Sequence, residues 1–290
     1  MKYLVIGATG NIGSRVTQRL IARGERPSVF VRGATKAKAL FGDQVDIHVG
    51  DLEKPRSSLA AALAGIEGSF LVSDGPDLDT RDRTVVFAAK SAGVRHVVKL
   101  STLDVPTGVG TGPWHARGEA AVRESGVAFT FIRAAGFMLN ALGWSDSIRQ
   151  EGVLRSSTGK GKIAFIHPDD IADVATVALT TRDHEGQSLV ITGPEALSYG
   201  EMAATIGFAI GKQIGFEEIS DKQAYAGVVG WAGKSPYADA LVDIWRAVRE
   251  GRLATVSDGV KRVIGRRPIP FDRWAEENAG AFQQWLGWPP

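Results

Sequence analysis

The chain has 290 residues, 44% of them hydrophobic and 23% charged, which is the balance of a globular protein longer than one small domain. Its 34 basic and 32 acidic residues give a formal charge of +2, and no basic run suggests a nucleic-acid partner. The absence of cysteine excludes disulfides, thiolate nucleophiles and zinc–cysteine sites.

The N-terminal segment, the apolar runs and the histidines bear on location and metal binding. No basic region precedes a signal-like apolar stretch, and no run reaches the roughly 18 apolar residues of a membrane helix. We therefore expect a cytoplasmic protein without a membrane partner. The five histidines are scattered without the spacing of metal ligands, so no metal site is expected.

The chain opens with an apolar run, Tyr3 to Ile6, that breaks directly into a glycine-rich segment. A buried strand that turns sharply into a helix has this pattern, and the free N–H groups and positive dipole end of such a helix suit a phosphate. The spacing Gly-x-x-Gly-x-x-Gly departs by one residue from the Gly-x-Gly-x-x-Gly dinucleotide fingerprint. A helical pattern over Ser14 to Arg23 and a second apolar run nevertheless complete a βαβ unit. The predicted dinucleotide-binding residues are Gly7, Thr9, Gly10, Asn11, Ile12 and Gly13.

The residue after the second apolar run bears on which nicotinamide cofactor is bound. An NAD-binding protein usually carries an acid there, which hydrogen-bonds the ribose 2′-hydroxyl. This chain has Arg32, whose guanidinium suits a 2′-phosphate, and Lys36 adds a second positive charge one turn into the next helix. The sequence therefore favours NADP(H) over NAD(H), although two such cations also suit an ordinary solvated surface.

Strand and helix patterns alternate through the first half of the chain, as in a parallel sheet with helices on both faces. The predicted strands are Lys2 to Ile6, Ser28 to Val31, Val45 to Val49, Gly68 to Val72, His96 to Leu100 and Ala128 to Ile132. After the first helix, the predicted helices are Ala34 to Leu40, Arg56 to Leu63, Arg81 to Ala92 and Ala116 to Ser125.

Shorter elements follow from about Arg155. They are predicted as strands at Ile163 to Ile166 and Gln187 to Thr192, and as helices at Asp169 to Leu179, Tyr199 to Ile210, Lys222 to Val229, Ala238 to Glu250 and Phe271 to Trp285. The fold class is therefore α/β, with a Rossmann-like doubly wound parallel sheet over residues 1–153. A smaller C-terminal α+β substrate lobe is expected over 154–290, and its elements can interleave with the first domain.

Ligands bind beyond the carboxyl ends of the strands in a doubly wound sheet. Asp51 and Leu52 follow the third predicted strand, and we expect Asp51 to accept a hydrogen bond from an adenine amino group. Asp51 suits a helix cap equally well. Ser73 follows the fourth strand, where the backbone is expected to pass the adenosine ribose, and Ser101 follows the fifth.

Further motifs recur along nearly the whole chain. They are Val31-Arg32, Gly50-Asp51-Leu52, Ala92 to Val98 running into Leu100-Ser101, His115-x-x-x-Glu119, Phe129 to Arg133 leading to Gly136 to Asn140, His167 to Ala175, and Leu189 to Glu195. With the glycine segment, these motifs resemble the NmrA-like atypical short-chain dehydrogenase/reductases, a family that includes NADPH-dependent quinone and triphenylmethane reductases. The resemblance implies an NADP(H)-dependent oxidoreductase, with Ser101, Gly136 and Phe137 beside the cofactor.

The resemblance breaks at the proton-transfer couple of the larger superfamily. That couple pairs a tyrosine acid with a lysine four residues on, and the lysine precedes a helical glutamate by four. Counting back from Glu119 puts His115 at the lysine-like position and Thr111 at the tyrosine-like one. The resemblance then implies an acceptor that takes hydride with little acid help, such as a quinone or a cationic dye.

Solvent, His115 or Ser101 is left to deliver the proton, and His115 and Ser101 are the candidate catalytic residues. A histidine on a helix face also suits a structural role, and a serine after a strand suits an ordinary turn. The predicted substrate-pocket residues are Trp114, Phe137, Asn140 and Trp144, with core packing as the alternative for the aromatic ones.

Two other functions stay open on the sequence. One is a non-catalytic NADP(H)-binding redox sensor that acts through a protein partner, and the other is a tailoring reductase or isomerase of a biosynthetic pathway. The expected partner is a small-molecule acceptor, and a homodimer is also left open.

Overall fold

The structure is a computed structural model that describes residues 1–53 and 56–283. The chain forms two compact units that are each discontinuous in sequence. The first unit comprises Met1–Ala134, Pro168–Ile191 and Gly259–Arg266. The second comprises Ala135–His167, Thr192–Asp258 and the chain from Arg267 onward. The division therefore differs from a single boundary at residue 153, and the domain limits of the intact protein stay a prediction.

The strands are short, and most of them belong to one sheet. In chain order they are β1 (Tyr3–Ile6), β2 (Ser28–Val31), β3 (Asp46–Val49), β4 (Gly68–Leu71), β5 (His96–Thr102), β6 (Ala128–Ala134), β7 (Val153–Ser156), β8 (Lys162–Ile163), β9 (Ser188–Ile191), β10 (Leu197–Ser198) and β11 (Gly215–Glu218).

The helices follow the strands in regular alternation through the first unit. In chain order they are α1 (Asn11–Ala22), α2 (Ala34–Phe41), α3 (Arg56–Leu63), α4 (Leu78–Ser91), α5 (Gly112–Ser125), α6 (Ser145–Glu151), α7 (Pro168–Thr180), α8 (Tyr199–Ile210), α9 (Asp221–Ala232), α10 (Pro236–Arg249), α11 (Gly259–Ile264), α12 (Phe271–Glu277) and α13 (Ala279–Phe282), with a 3₁₀ helix at Met138–Trp144.

The first unit is built on a seven-stranded sheet in the order β3-β2-β1-β4-β5-β6-β9. Every pair in it is parallel, which confirms the predicted Rossmann-like doubly wound fold. The strand order reverses between β1 and β4, and a crevice for a ligand opens beyond the carboxyl ends of strands at such a point.

Apolar residues explain why helices cover the sheet. Leu4 and Ile6 of β1 pack in one buried cluster with Leu59 of α3 and Val85 of α4. On β4, a side chain at Gly68 would contact Leu179 of α7, so α7 packs directly against that strand. Alternate residues of a strand face opposite sides of the sheet, and both sides are buried in β1, β2 and β4, whereas the edge strand β3 is more exposed.

Strand β9 and helix α7 lie beyond residue 153 in the chain but belong to the first unit, with Leu189 of β9 in register with Ile132 of β6. The sequence expectation left such interleaving open without saying which elements it involves. The chain therefore returns to the first sheet after forming part of the second unit. Short-range patterning predicts the strand at this position but contains no information about which sheet it joins.

Helix α5 begins four residues before its predicted start at Ala116. Pro113 lies near the first position of the helix, where its fixed φ angle fits and its missing N–H costs no hydrogen bond. The Gly-Pro sequence suggests a turn, whereas here it starts the helix. As a result, Trp114 and His115 lie in the first turn of α5.

The second unit contains two small sheets, antiparallel β8–β10 and parallel β7–β11. Sequence patterning missed β7, β11, α6 and α11, which have only four to seven residues each. The helix predicted at Phe271 to Trp285 is divided into α12 and α13, and its predicted last two residues lie outside the described residues. The strand predicted at Ile163 to Ile166 is reduced to β8 and an isolated bridge from Ile166.

Gly259 offers a test of the packing of α11 against β9. A Cβ at this position would collide with the backbone carbonyl oxygen of Val190. We expect Gly259→Ala to lower the free energy of unfolding by roughly 1–3 kcal/mol, measured by urea denaturation, because backbone cannot yield as a flexible side chain can. Gly143→Ala is the matched control, since that position has open space around it. Equal stability of the two variants would contradict this packing.

Candidate active site

The glycine segment forms a tight turn from β1 into α1. Gly7 has a φ of +81°, a conformation that suits glycine, and its carbonyl oxygen accepts a hydrogen bond from the Gly10 N–H at 2.9 Å. A side chain at Gly13 would collide with that same carbonyl oxygen. The glycines at 7 and 13 therefore bring the first turn of α1 close to the end of β1.

The N-terminus of α1 is open to an anion. Gly10 is the N-cap residue, no side chain of the described residues caps the helix, and no acidic residue lies in its first turn. Asn11 is exposed at the start of this turn, whereas Ile12 and Gly13 are buried. Unsatisfied N–H groups and the positive end of the helix dipole favour a phosphate, so this turn fits the pyrophosphate of a dinucleotide.

Arg32 and Lys36 lie at the neighbouring strand end. Arg32 directly follows β2, and Lys36 is in the first turn of α2. Both side chains are exposed. Within residues 1–53 and 56–283, neither side chain forms a hydrogen bond or an ion pair. Two cations without protein partners at this position fit a phosphate on the adenosine ribose.

Asp51 and Leu52 follow β3, as predicted. The Asp51 carboxylate accepts a hydrogen bond from the Glu53 N–H at 3.0 Å, while its side chain is exposed. Leu52 packs against the buried cluster beside the sheet. The packing of Leu52 thus holds the segment in which Asp51 lies. The Asp51 carboxylate has lone pairs left to accept a further hydrogen bond.

Ser73 belongs to a buried polar cluster formed with Asp82 and Lys99, which we call the Lys99 cluster. The Ser73 hydroxyl donates to Asp82 Oδ1 at 2.5 Å and accepts from Lys99 Nζ at 3.1 Å. Lys99 Nζ lies 2.7 Å from Asp82 Oδ2, and both charged side chains are fully buried. The Ser73 hydroxyl is thus engaged within the protein, which leaves its backbone as the part that can face a ribose.

Ser101 belongs to a second network, centred on the buried carboxylate of Glu119. The Ser101 hydroxyl donates to Glu119 Oε1 at 2.8 Å. Arg133 binds both carboxylate oxygens, through Nε at 2.9 Å and Nη2 at 2.7 Å. These bonds fix α5 to the ends of β5 and β6, and they raise the pKa of Arg133. The Ser101 hydroxyl donates its hydrogen bond to a carboxylate. This geometry fits a structural role for Ser101 better than the role of a proton donor to a substrate.

His115 lies one turn before Glu119 on α5. Its Nδ1 atom is buried and has no hydrogen-bond partner among the described residues. Burial, with a smaller contribution from the Lys99 ammonium, lowers the pKa of His115 to about 3. The imidazole is therefore neutral near pH 7, so His115 is not an imidazolium that could act as a general acid. Trp114 beside it is buried.

The other predicted site residues lie in the second unit, on the segment after β6. Phe137 forms an isolated parallel bridge with Ile166, and the Ile166 N–H donates to the Gly136 carbonyl at 2.9 Å. A side chain at Gly136 would meet the ring of Phe165, which explains the glycine. Phe137 is half-buried.

Asn140 and Trp144 lie on the 3₁₀ helix that follows. Asn140 is exposed, whereas Trp144 is half-buried against two aromatic rings, with ring centroids 4.8 Å from Tyr199 and 6.4 Å from Phe165. Burial raises the pKa of the Tyr199 phenol, so it is no acid near neutral pH. Within the second unit, these three rings form an aromatic cluster, in which Phe165 and Tyr199 are buried and Trp144 is partly exposed.

Sequence reasoning missed Lys99 and Asp82. The signal was present, because Lys99 interrupts an otherwise apolar run, His96-Val97-Val98-Lys99-Leu100, that has to be buried as a strand. A lysine in such a place needs a carboxylate partner. The sequence alone does not identify Asp82, which is seventeen positions away on α4.

A family model described as NAD(P)H-binding matches residues 7–182, which is more than half of the chain. The chain belongs to this NAD(P)H-binding family. The match begins at Gly7, directly after β1, and extends through α7, so it includes the glycine turn and the strand ends described above.

Two curated relatives and one solved structure are similar over nearly the full length. The NAD(P)H azoreductase of Xenophilus azovorans is 37% identical over 96% of this chain and 98% of its own length. A (4-alkanoyl-5-oxo-2,5-dihydrofuran-3-yl)methyl phosphate reductase of Streptomyces griseus is 35% identical over 96% and 98%. The NADPH-dependent quinone oxidoreductase of Escherichia coli, solved with NADPH, has a TM-score of 0.86 at 26% identity, covering 95% of this chain and 99% of that one.

These similarities confirm the NmrA-like resemblance and the prediction of an NAD(P)H-dependent oxidoreductase. In residues 1–53 and 56–283, no helix has the length and apolarity to cross a membrane. No group of three or more acidic or histidine side chains in these ranges is placed to hold a metal ion.

The close approach of Gly13 to Gly7 yields a binding prediction. We expect Gly13→Ala to weaken NADPH binding at least about 10-fold, because the added methyl displaces the first turn of α1 from its phosphate-binding position. Isothermal titration calorimetry measures the effect, and Gly280→Ala, at a helical position with open space, is the control. Unchanged affinity in Gly13→Ala would show that the turn does not bind the cofactor.

The buried imidazole of His115 yields a stability prediction. Unfolded His115 gains a proton below pH 6.5, whereas the folded residue stays neutral down to about pH 3, so its stabilisation is complete above pH 6.5 and is lost as the pH falls. Between about pH 7.5 and pH 5 the wild type should lose about 2 kcal/mol more stability than His115→Gln. Urea unfolding at both pH values measures this difference. Parallel slopes for wild type and His115→Gln would contradict the buried neutral state.

Proposed function

We propose that this protein is an NADPH-dependent reductase that transfers hydride to a quinone-like or other conjugated small-molecule acceptor. The observation that carries the proposal is the hydrogen bond by which the Ser101 hydroxyl donates to the buried Glu119 carboxylate. Burial also lowers the pKa of His115 to about 3, so its imidazole is neutral near pH 7. Neither candidate donor is prepared to protonate a substrate, which suits an electron-poor acceptor that needs little acid help.

The relatives support the same class of acceptor. Their names specify an azo reductase, a quinone oxidoreductase and a reductase of an unsaturated, acyl-substituted furanone. Azo groups, quinones and conjugated carbonyls share a low-lying empty π orbital that accepts hydride. We therefore expect a conjugated, planar acceptor rather than a simple ketone or alcohol.

We assign the cofactor to the first unit. The turn from Gly7 to Gly13 with the open N-terminus of α1 would bind the pyrophosphate, and Arg32 with Lys36 would bind the 2′-phosphate. Asp51 would accept from the adenine amino group, Leu52 would hold that segment in place, and the backbone at Ser73 would pass the ribose. The residues named so far are not assigned to the nicotinamide. Its contacts with Ser101, Gly136 and Phe137 stay predictions.

When bound, a reduced nicotinamide supplies the hydride. The chain's own residues would bind and orient the cofactor and the acceptor. Neither Ser101 nor His115 would act as an acid toward the acceptor. The Glu119 network fixes the ends of β5 and β6, so that Ser101 keeps its position through the reaction. His115 would offer an imidazole nitrogen for a hydrogen bond, while solvent would supply the proton of the product. The acceptor contacts of Trp114, Phe137, Asn140 and Trp144 stay predictions, as do a cytoplasmic location and a homodimer.

The preference for NADPH is tested at Arg32. We expect Arg32→Glu to weaken NADPH binding roughly 10- to 100-fold and NADH binding far less, because only NADPH carries the 2′-phosphate. Lys38→Glu is the matched control, since Lys38 lies on the same helix as Lys36 and makes the same change of charge. Titration calorimetry with both cofactors measures the affinities. Equal loss for both cofactors would remove Arg32 from the 2′-phosphate site.

The reaction is tested by following NADPH absorbance with a panel of benzoquinones, naphthoquinones, azo dyes and triphenylmethane dyes. We expect turnover with at least one conjugated acceptor and none with simple ketones. Tight NADPH binding without turnover on any acceptor would contradict the proposal. It would favour the redox-sensor alternative if a protein partner then bound in a cofactor-dependent way.

A further inference from the structure

Two adjacent residues near the start of α4 hold the loop that follows β4. Asp82 accepts a hydrogen bond from the Ser73 hydroxyl at 2.5 Å, within the buried Lys99 cluster. Arg81, the residue before it, donates from Nη2 to the backbone carbonyl oxygen of Asp74. Neighbouring residues of one helix therefore hold successive residues of one loop, through a side chain at Ser73 and through the backbone at Asp74.

The Asp82 side of this arrangement is enclosed. Lys99 Nζ lies 2.7 Å from Asp82 Oδ2, and neither of these charged side chains has any exposed surface. A side chain at Gly118 of α5 would collide with the same carboxylate, so α5 packs directly on it. The carboxylate that accepts from Ser73 is thus fixed by contacts from α5 and β5 as well as by its own helix.

The loop held in this way begins beside the glycine turn. A side chain at Gly7 would lie 3.2 Å from Val72 Cβ, so the turn packs against the residue before Ser73. The strand order reverses between β1 and β4, and a dinucleotide binds across such a reversal point. The loop that α4 holds therefore lies at the crevice to which the cofactor is assigned.

Arg81 also extends to the segment after β3. Its Nη1 atom lies 4.0 Å from Glu53 Oε1, and the Glu53 N–H donates to the Asp51 carboxylate at 3.0 Å. Strands β3 and β4 are not neighbours, because β2 and β1 lie between them in the sheet. One guanidinium thus connects segments that start on either side of β1 and β2. The Glu53 contact is the weaker one, since that side chain is 72% exposed.

We propose that Arg81 and Asp82 are positioning residues for the cofactor, which hold the segments after β3 and β4 in the conformation that binds the adenosine half before the cofactor arrives. The inference rests on the cofactor assignment within the proposed function and does not depend on the acceptor. A segment that is already ordered pays no ordering entropy on binding. The forked guanidinium of Arg81 can donate to two acceptors at once, which the single ammonium of a lysine does less well.

The test is titration calorimetry with adenosine 2′,5′-bisphosphate, which contains the adenosine half of NADPH and no nicotinamide. We expect Arg81→Gln to weaken its binding about 3- to 10-fold, and Arg81→Lys to weaken it similarly, because a lysine keeps the charge without the fork. Arg83→Gln is the matched control and should bind as the wild type does, since Arg83 lies on the same helix but pairs with Glu124 of α5.

The Asp82 contact is tested by Ser73→Ala. This variant removes the hydroxyl that Asp82 holds and leaves the Lys99–Asp82 pair intact, whereas removal of Asp82 would leave a buried lysine without its charged partner. We expect a loss of affinity for adenosine 2′,5′-bisphosphate of about 3- to 10-fold. Wild-type affinity in Ser73→Ala would overturn the part assigned to Asp82.

Amide hydrogen exchange separates positioning from a general loss of stability. Without ligand, the segment 73–77 should exchange at least about 3-fold faster in Arg81→Gln than in the wild type, whereas exchange in β5 stays unchanged. Saturation with NADPH should remove the difference, because the bound cofactor then orders the loop.

Wild-type affinity in Arg81→Gln, or unchanged exchange of 73–77 in its free form, would overturn the inference. Full affinity in Arg81→Lys would also overturn it, because charge alone would then suffice. If neither adenosine 2′,5′-bisphosphate nor NADPH binds the wild type, the cofactor assignment is wrong and the inference is wrong with it. Binding without turnover on any acceptor would count against the proposed function alone.

Discussion

The close approach of α1 to the end of β1 is the constraint on which the cofactor-binding edge depends. Because Gly13 has no side chain, the first turn of α1 lies against the carbonyl of Gly7, and no side chain among the described residues caps the N-terminus of this helix. The parallel register then brings the ends of β2, β4 and β5 to the same edge. Arg32, Ser73 and Ser101 are carried there by the strands that precede them.

Two buried charged groups give this edge its rigidity. The Glu119 carboxylate ties α5 to β5 and β6, and the Lys99–Asp82 pair ties β5 to α4. Such pairs contribute little net stability in a dry interior, because the desolvation cost offsets the Coulomb attraction. Their value here is geometric, since each holds a serine hydroxyl in a fixed position.

The cofactor and the acceptor present different problems of recognition. A phosphate-bearing cofactor is recognised by fixed N–H groups and cations, which local sequence encodes as glycines at set spacings and as basic residues after a strand. A conjugated acceptor without charge is recognised by flat apolar surface and shape. Aromatic side chains provide such surfaces, and any buried core uses the same residues, as the packing of Trp144 on Tyr199 illustrates, so composition does not separate the two roles.

The sequence by itself determined the βαβ opening, the alternating parallel sheet, the glycine turn before α1 and the cations after β2, because each depends on short-range periodicity and on residues with restricted backbone or charge chemistry. Only the tertiary structure decided that β9 returns to the first sheet, that Pro113 begins α5, and that Lys99 finds Asp82. These outcomes depend on contacts between residues distant in the chain, which no local pattern specifies. The protonation state of His115 belongs with them, since burial and a neighbouring ammonium set it.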